Sequence, residues 1–320
     1  MRLIGLVLAL GVALAPVAAK GQATGQVRRM GLLNAAAPGG QSEPALREAL
    51  RALGYVEGRN LMIESRAAHG RVERLPAFTR ELLDTTPEVI VTFGTTAVQA
   101  AKTATTTTPI VMAFAGDPVG TGLVASLARP GGNVTGMSLA TSELAGKRLE
   151  LLKQITPKVT RLTILGDITR EVEVQETEKG ARVLGMTVAL VELTQATGLD
   201  KALAEVARTR PQAIFVINSA VTVTHRAGII DFALKNRAPL VGTQAGWATA
   251  GALMDYSASL TDAARRAAVY VDKILNGATP GDLPIQRPTT FDLVINKQTA
   301  QALRLTIPQT VLLQADRVIE

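Results

Sequence analysis

Val89-Ile90-Val91-Thr92-Phe93-Gly94-Thr95-Thr96-Ala97 reads as a buried strand that turns sharply into a helix. Its apolar run is continuous rather than alternating. That suits a strand covered on both faces, as in a parallel sheet flanked by helices. Pro87 stands just before the run, where no helix could continue. Gly94 permits a tight turn, and a helix over Val98–Thr103 follows. Ile214-Phe215-Val216-Ile217, behind Pro211, repeats the same character.

Outward from this unit the pattern recurs. Strands are expected at Arg29–Ala35, Leu61–Ala67, Ile110–Phe114, Val134–Ser138, Arg161–Leu165, Thr187–Leu193, Ala213–Ile217 and Pro239–Gly242, with a late one over Gly251–Tyr256. Amphipathic helices lie between them. Leu46, Ala49, Leu50 and Leu53 share one face, as do Ala264, Ala267, Ala268, Val271, Ile274 and Leu275. Leu144, Leu151, Leu152 and Ile155 track another face, on which Arg148 is the exception. Gly54 and Gly277 stand where helix C-caps are expected. The alternation means an α/β protein with parallel sheets. There are too many strands for one open sheet, so two doubly wound lobes are expected, breaking near Ser138 to Ser142 after the turn Pro130-Gly131-Gly132. Ligands of open α/β sheets sit at the carboxyl ends of strands, so two such lobes make a hinged cleft.

Composition narrows the function. The chain has 320 residues, 47% hydrophobic and 19% charged, which suits two globular domains. Its net charge of +7 is scattered and often beside acids, and aromatics make up only 3%, so a solvated basic surface is expected and no nucleic-acid partner. There is no cysteine, which excludes disulfides, thiolate chemistry and a cysteine-borne lipid. His69 and His225 are too few and too far apart to suggest a zinc site or a histidine triad. Arg2, the apolar run Leu3–Ala15, Pro16 and the small residues Val17-Ala18-Ala19 read as a secretory signal over residues 1–19, cleaved near Ala19.

No nucleophile elbow, zinc-protease helix or phosphate-binding loop occurs, so no catalytic residue, metal or cofactor is expected. The carboxylates Glu171, Glu173, Glu176 and Glu178 fall on one charged helix and read as a solvated face. Binding groups are sought at strand ends. Thr95 and Thr96 offer hydroxyls and N–H groups at a helix N-terminus, a place that binds a carboxylate; simple N-capping is the alternative. Asp117 could receive a ligand ammonium, or cap a helix starting at Val119. Ser138, Asn218, Gln244 and Tyr256 complete the candidate ligand-binding set, and Trp247 is expected to pack.

Long motifs then carry a resemblance. Gly122-Leu-Val-Ala-Ser-Leu-Ala-Arg-Pro-Gly-Gly-Asn-Val-Thr-Gly136, Arg265–Leu275, Leu283-Pro284, Phe291–Asn296, Leu305-Thr-Ile-Pro308 and Ala315–Glu320 closely resemble the ABC transporter substrate-binding proteins of the tryptophan/tyrosine-type family. The resemblance implies a type I periplasmic-binding-protein fold with three crossing segments between its lobes. The first lobe would span 27–138 with a return over about 256–280, and the second 139–250 with part of 284–320. It implies a monomer that closes over a small molecule, such as an amino acid or similar small polar or aromatic solute, and hands it to a membrane permease with a cytoplasmic ATPase. A ligand-sensing domain for a membrane receptor is the alternative. Thr95-Thr96-Ala97 and Asp117-Pro118 match cleft-lining segments of the family. Two departures stand out: Arg304 and Ser257 occupy positions where relatives commonly have Gly. With no cysteine for a lipid anchor, the resemblance points to a Gram-negative periplasm.

Overall fold

The computed structural model describes residues 27–36, 41–167, 171–217 and 219–320; the expected signal segment and Asn218 lie outside them. Two α/β layers form, each around its own parallel sheet. In the first lobe the order is β1 (Arg28–Asn34), α1 (Ser42–Ala52), β2 (Leu61–Ala67), α2 (Leu75–Asp84), β3 (Val89–Phe93), α3 (Thr95–Ala104), β4 (Ile110–Ala115) and β5 (Val134–Ser138). These strands pair in parallel in the order β2-β1-β3-β4-β5. All five residues of β3 are buried, as a strand at the centre of a two-sided layer requires.

The second lobe holds α4 (Ala145–Ile155), β6 (Arg161–Gly166), α5 (Glu171–Val183), β7 (Thr187–Glu192), α6 (Leu199–Thr209), β8 (Ala213–Val216), α7 (Ala220–Thr224), α8 (Arg226–Lys235), β9 (Leu240–Gly242) and β10 (Met254–Ala258). The chain then returns to the first lobe as α9 (Leu260–Leu275) before ending with β11 (Phe291–Asn296), α10 (Lys297–Ala302), α11 (Gln309–Leu312) and β12 (Arg317–Ile319). The second sheet runs β12-β11-β10-β9-β8-β6-β7 and is parallel except at β10–β11. The buried side of α9 is mostly alanine (Ala263, Ala264, Ala267, Ala268), which lets it pack closely on α1 and β4 in one core with Leu46, Leu50 and Val111. Gly54 and Gly277, behind α1 and α9, take φ of +93° and +96°. Among the described residues no helix is long and apolar enough to cross a membrane.

Three segments cross between the lobes, and they are bonded to one another. The first follows β5, the second joins β10 to α9, and the third leads into β11. Ser259 N–H donates to the Thr290 carbonyl at 3.3 Å, joining the second and third. Arg287 donates to Glu143 at 3.0 Å, joining the third and first. Before crossing, residues 283–286 lie along the free edge of β5: Ser138 N–H donates to Gln286 O, and Gln286 N–H to Gly136 O.

Two expectations need correction. No helix starts at Val119; residues 118–122 form a turn, because the Asp117 carboxylate accepts from Gly120 N–H at 2.9 Å and Gly122 then takes φ +68°. Glu173 is not part of a solvated face. It is 4% exposed, 3.9 Å from the guanidinium of Arg148, which is itself fully buried.

Candidate functional site

A cavity of about 720 Å³ lies between the lobes at the carboxyl ends of both sheets. The first lobe contributes Asn34, Ala35 and Ala36 after β1, Ser42 and Glu43 from α1, His69, Phe93-Gly94-Thr95-Thr96, Phe114 and Gly116. The second contributes Asp167 after β6, Ser219, Ala220, Val223 and Thr224 around α7, Arg226, Gln244 and Ala245. Leu139, Thr141 and Leu260, in or beside the crossing segments, also line it.

The Thr95–Thr96 corner is built by the backbone. Gly94 is the N-cap of α3 at φ +94°, and no side chain caps the helix. The threonines therefore occupy the first helical turn, and the N-capping alternative is not what the structure adopts. Gly94 carbonyl accepts from the N–H of Ala97 and Val98, which leaves the N–H groups of Thr95 and Thr96 without a partner among the described residues. Thr95 Oγ1 accepts from Gly116 N–H at 3.1 Å, tying the α3 start to the end of β4. Thr96 Oγ1 makes no hydrogen bond among the described residues, and Thr96 lines the cavity. Unpaired N–H groups at the positive end of a helix dipole favour an anionic group. Beside them Phe93 and Phe114 meet edge to face, with ring centroids 5.5 Å apart at 82°.

Gln244 also reaches the cavity, on a loop held at both ends. Arg148 Nη2 donates to Thr243 O at 2.8 Å, and Thr243 Oγ1 donates to Val216 O at 2.9 Å. Farther along, Ala248 N–H donates to Asp255 Oδ2 at 2.7 Å, and Asn296 donates to Ala248 O at 2.9 Å. Burial raises the Asp255 carboxyl to about 6 against the pull of the backbone N–H groups of Ala248, Gly246 and Trp247. Arg148 also donates to Tyr256 O at 2.7 Å and Thr141 O at 2.9 Å, so one guanidinium binds the first crossing, the start of the second and the Gln244 loop. Burial lowers its pKa to about 10, opposed by the charges of Glu173, Tyr256 and Asp255, and it stays cationic at neutral pH.

Three of the expected ligand residues, Thr95, Thr96 and Gln244, line the cavity together. Three others do not. Asp117 Oδ1 holds Gly120 N–H, and Oδ2 accepts from Ser142 Oγ at 3.1 Å, so its carboxylate is spent on the turn and the first crossing. Ser138 is buried at the end of β5, where its Oγ accepts from Ala140 N–H at 3.1 Å. Tyr256 lies in β10, whose alternation turns its ring to the outer core, stacked on Phe291 with centroids 6.0 Å apart. Trp247 is fully buried against Gly242 and packs, as expected.

Several lining residues escaped the sequence. Asn34 and Asp167 are strand-end polar residues of the same kind as Thr95, so that rule could have found them. Glu43, His69 and Arg226 carry no local signal, because only the meeting of the lobes brings them to the cavity. Glu43 pairs with Arg47 at 2.9 Å, and Arg226 donates to Gly246 O at 3.3 Å.

Comparison with known proteins agrees with this architecture. The family model for ABC transporter substrate binding proteins matches residues 41–319. A curated relative, the tyrosine-binding protein of Clostridioides difficile, is 26% identical over 80% of this chain and 74% of its own. A domain from Streptococcus pneumoniae solved with L-Trp is 25% identical, with a TM-score of 0.85 over 92% of this chain and all of that one. The ligand-free, open structure of a Clostridium difficile substrate binding protein is 22% identical, with a TM-score of 0.67 over 92% of this chain and 99% of that one. The likeness spans both lobes and the crossing segments, and the chain belongs to the ABC transporter substrate-binding protein family.

Proposed function

We propose that this protein captures an amino acid with an aromatic side chain between its lobes and delivers it, from the periplasm, to an ABC importer composed of a membrane permease and its ATPase. It acts as a monomer, exported through its N-terminal signal, and makes or breaks no bond in the ligand. The observation that carries the reading is the cavity itself. It collects strand ends from both sheets around the unpaired N–H groups and hydroxyls of Thr95 and Thr96.

In this reading the ligand carboxylate sits at the start of α3. Asp167 and Gln244, both on the second-lobe wall, supply acceptors for the ammonium; the Asp117 carboxylate, bonded to Gly120 N–H and Ser142 Oγ, lies outside the cavity lining. Phe114, partly exposed and packed edge to face on the buried Phe93, offers an aromatic surface to the side chain. The named ligands of the Clostridioides and Streptococcus relatives, tyrosine and tryptophan, support the class. Closure follows from the same geometry: a ligand touching both walls binds the closed form better than the open one, and only that difference can shift the lobes.

Calorimetric titration with L-Trp and L-Tyr tests the proposal. One-to-one binding is expected, weakened about tenfold in Thr96→Val, which keeps the side-chain shape but removes the hydroxyl. Absence of heat from both, or an unchanged affinity in Thr96→Val, would count against it.

A further inference from the structure

The lobes touch at the mouth of the cavity as well as at the hinge. Gly70 follows β2 in the first lobe, and its N–H donates to Ala35 O at 2.9 Å, which fixes it to the end of β1. Its carbonyl accepts from Gln195 Nε2 of the second lobe, also at 2.9 Å. A Cβ at Gly70 would overlap Thr224 Oγ1 on α7 and lie 3.0 Å from Thr224 Cβ and 3.2 Å from Ala220 O. A second approach lies at Gly120, where a Cβ would meet Val172 Cγ2 of the second lobe at 2.9 Å and Asp117 Oδ2 of its own turn at 2.6 Å.

We propose that Gly70, Gln195 and Thr224 form a latch across the mouth of the cleft that holds the lobes shut over the captured solute and slows its escape. The proposal rests on the reading that the lobes close over a ligand. Gln195 stands on a turn between β7 and α6, and its side-chain amide leaves its own lobe to bond Gly70. Such a bond adds to the closed state whatever the ligand's chemistry. Gly70 has two reasons to lack a side chain. Its φ is +78°, and the space where a Cβ would stand is filled from the opposite lobe. His69, Ala220 and Thr224 all line the cavity, so the latch borders the captured ligand.

The chain has no cysteine, so an introduced pair is the only one that can crosslink. In Gly70→Cys/Thr224→Cys, the two Cβ positions are slightly nearer than a disulfide needs, and a small opening accommodates the bond. Mild oxidation without ligand should crosslink the pair, read by mass spectrometry; failure to crosslink overturns the latch. With L-Trp as the probe, Gln195→Ala should bind about three- to tenfold more weakly, through faster dissociation and with an unchanged melting temperature. Gly70→Ala should lose about tenfold or more, because the lobes can no longer meet. Unchanged affinity and dissociation in Gln195→Ala overturn the proposal. If neither L-Trp nor L-Tyr binds the wild type, the amino-acid reading falls separately. The latch is then judged by the crosslink alone, which must still form under mild oxidation; its absence overturns the proposal.

Discussion

Replacing Arg148 with Met tests whether one buried cation holds the hinge together. The guanidinium is fully buried and donates to three carbonyls, those of Tyr256, Thr141 and Thr243, at 2.7, 2.9 and 2.8 Å. Hydrogen bonds from a charged donor contribute roughly 1.5 kcal/mol each, and stranding buried acceptors costs about 1 kcal/mol or more apiece. Against this, Met needs no desolvation, and that penalty for a buried charge is several kcal/mol. Breaking a buried ion pair by removing one partner typically costs about 3–5 kcal/mol, and Glu173 loses its cation 3.9 Å away. We expect a net loss of about 3 kcal/mol in Arg148→Met, read as a lower urea midpoint at unchanged slope. Arg148→Lys should lose about half as much, since an ammonium keeps the charge but cannot span three carbonyls. Thr141 and the Gln244 loop line the cavity, so ligand affinity should fall with stability. A stability change under about 1 kcal/mol with unaltered affinity would refute the hinge role.

Other outcomes follow from the same structure. Folded Asp255 holds its proton more tightly than the unfolded chain does, with a pKa near 6 against 3.8. Its contribution therefore favours the fold below about pH 4 and is lost as pH rises through about 6, by up to about 3 kcal/mol. Asp255→Asn should flatten that decline, with its gain over the wild type larger at pH 8 than at pH 5 in chemical denaturation. Arg304 is exposed at φ +58° just past α10, so Arg304→Gly should raise stability by about 0.5 kcal/mol in the same assay. Asp117→Ala should lose about 1–2 kcal/mol of stability, because Gly120 N–H and Ser142 Oγ lose their acceptor, while calorimetry finds ligand affinity within about threefold of wild type.

Much of the fold was legible because its signals are local. Continuous apolar runs behind prolines placed β3, β4, β8 and β9 within a residue or two, and helical spacing placed the buried face of α9 and, in α1, Leu46 and Leu50; Leu53, expected on that same face, falls just past the end of α1 and is exposed. The antiparallel β10–β11 pair carried no such signal, since strand direction is set by how the chain returns through α9. Arg148 was visible as an oddity on an apolar face. Its partners lie 7, 95 and 108 residues away, so its role was not. Cavity-lining positions were legible where a strand end alone decides them, as at Thr95, Thr96 and Gln244. Asp117 and Tyr256 fall outside the cavity lining for opposite reasons. One carboxylate is absorbed by its own turn, and one ring follows the alternation of its strand away from the cleft. Arg304 shows the value of a departure from a family pattern: a non-glycine residue holds the left-handed conformation there. Ser257 has no such account, although its buried Oγ lacks a hydrogen-bond partner.

Small-angle scattering of the wild-type protein, alone and with saturating L-Trp or L-Tyr, bears most directly on capture between two lobes. The account predicts a smaller radius of gyration with the amino acid bound, as the walls carrying Thr96 and Gln244 draw together. Tight binding with an unaltered radius, or no binding of either amino acid, would contradict it.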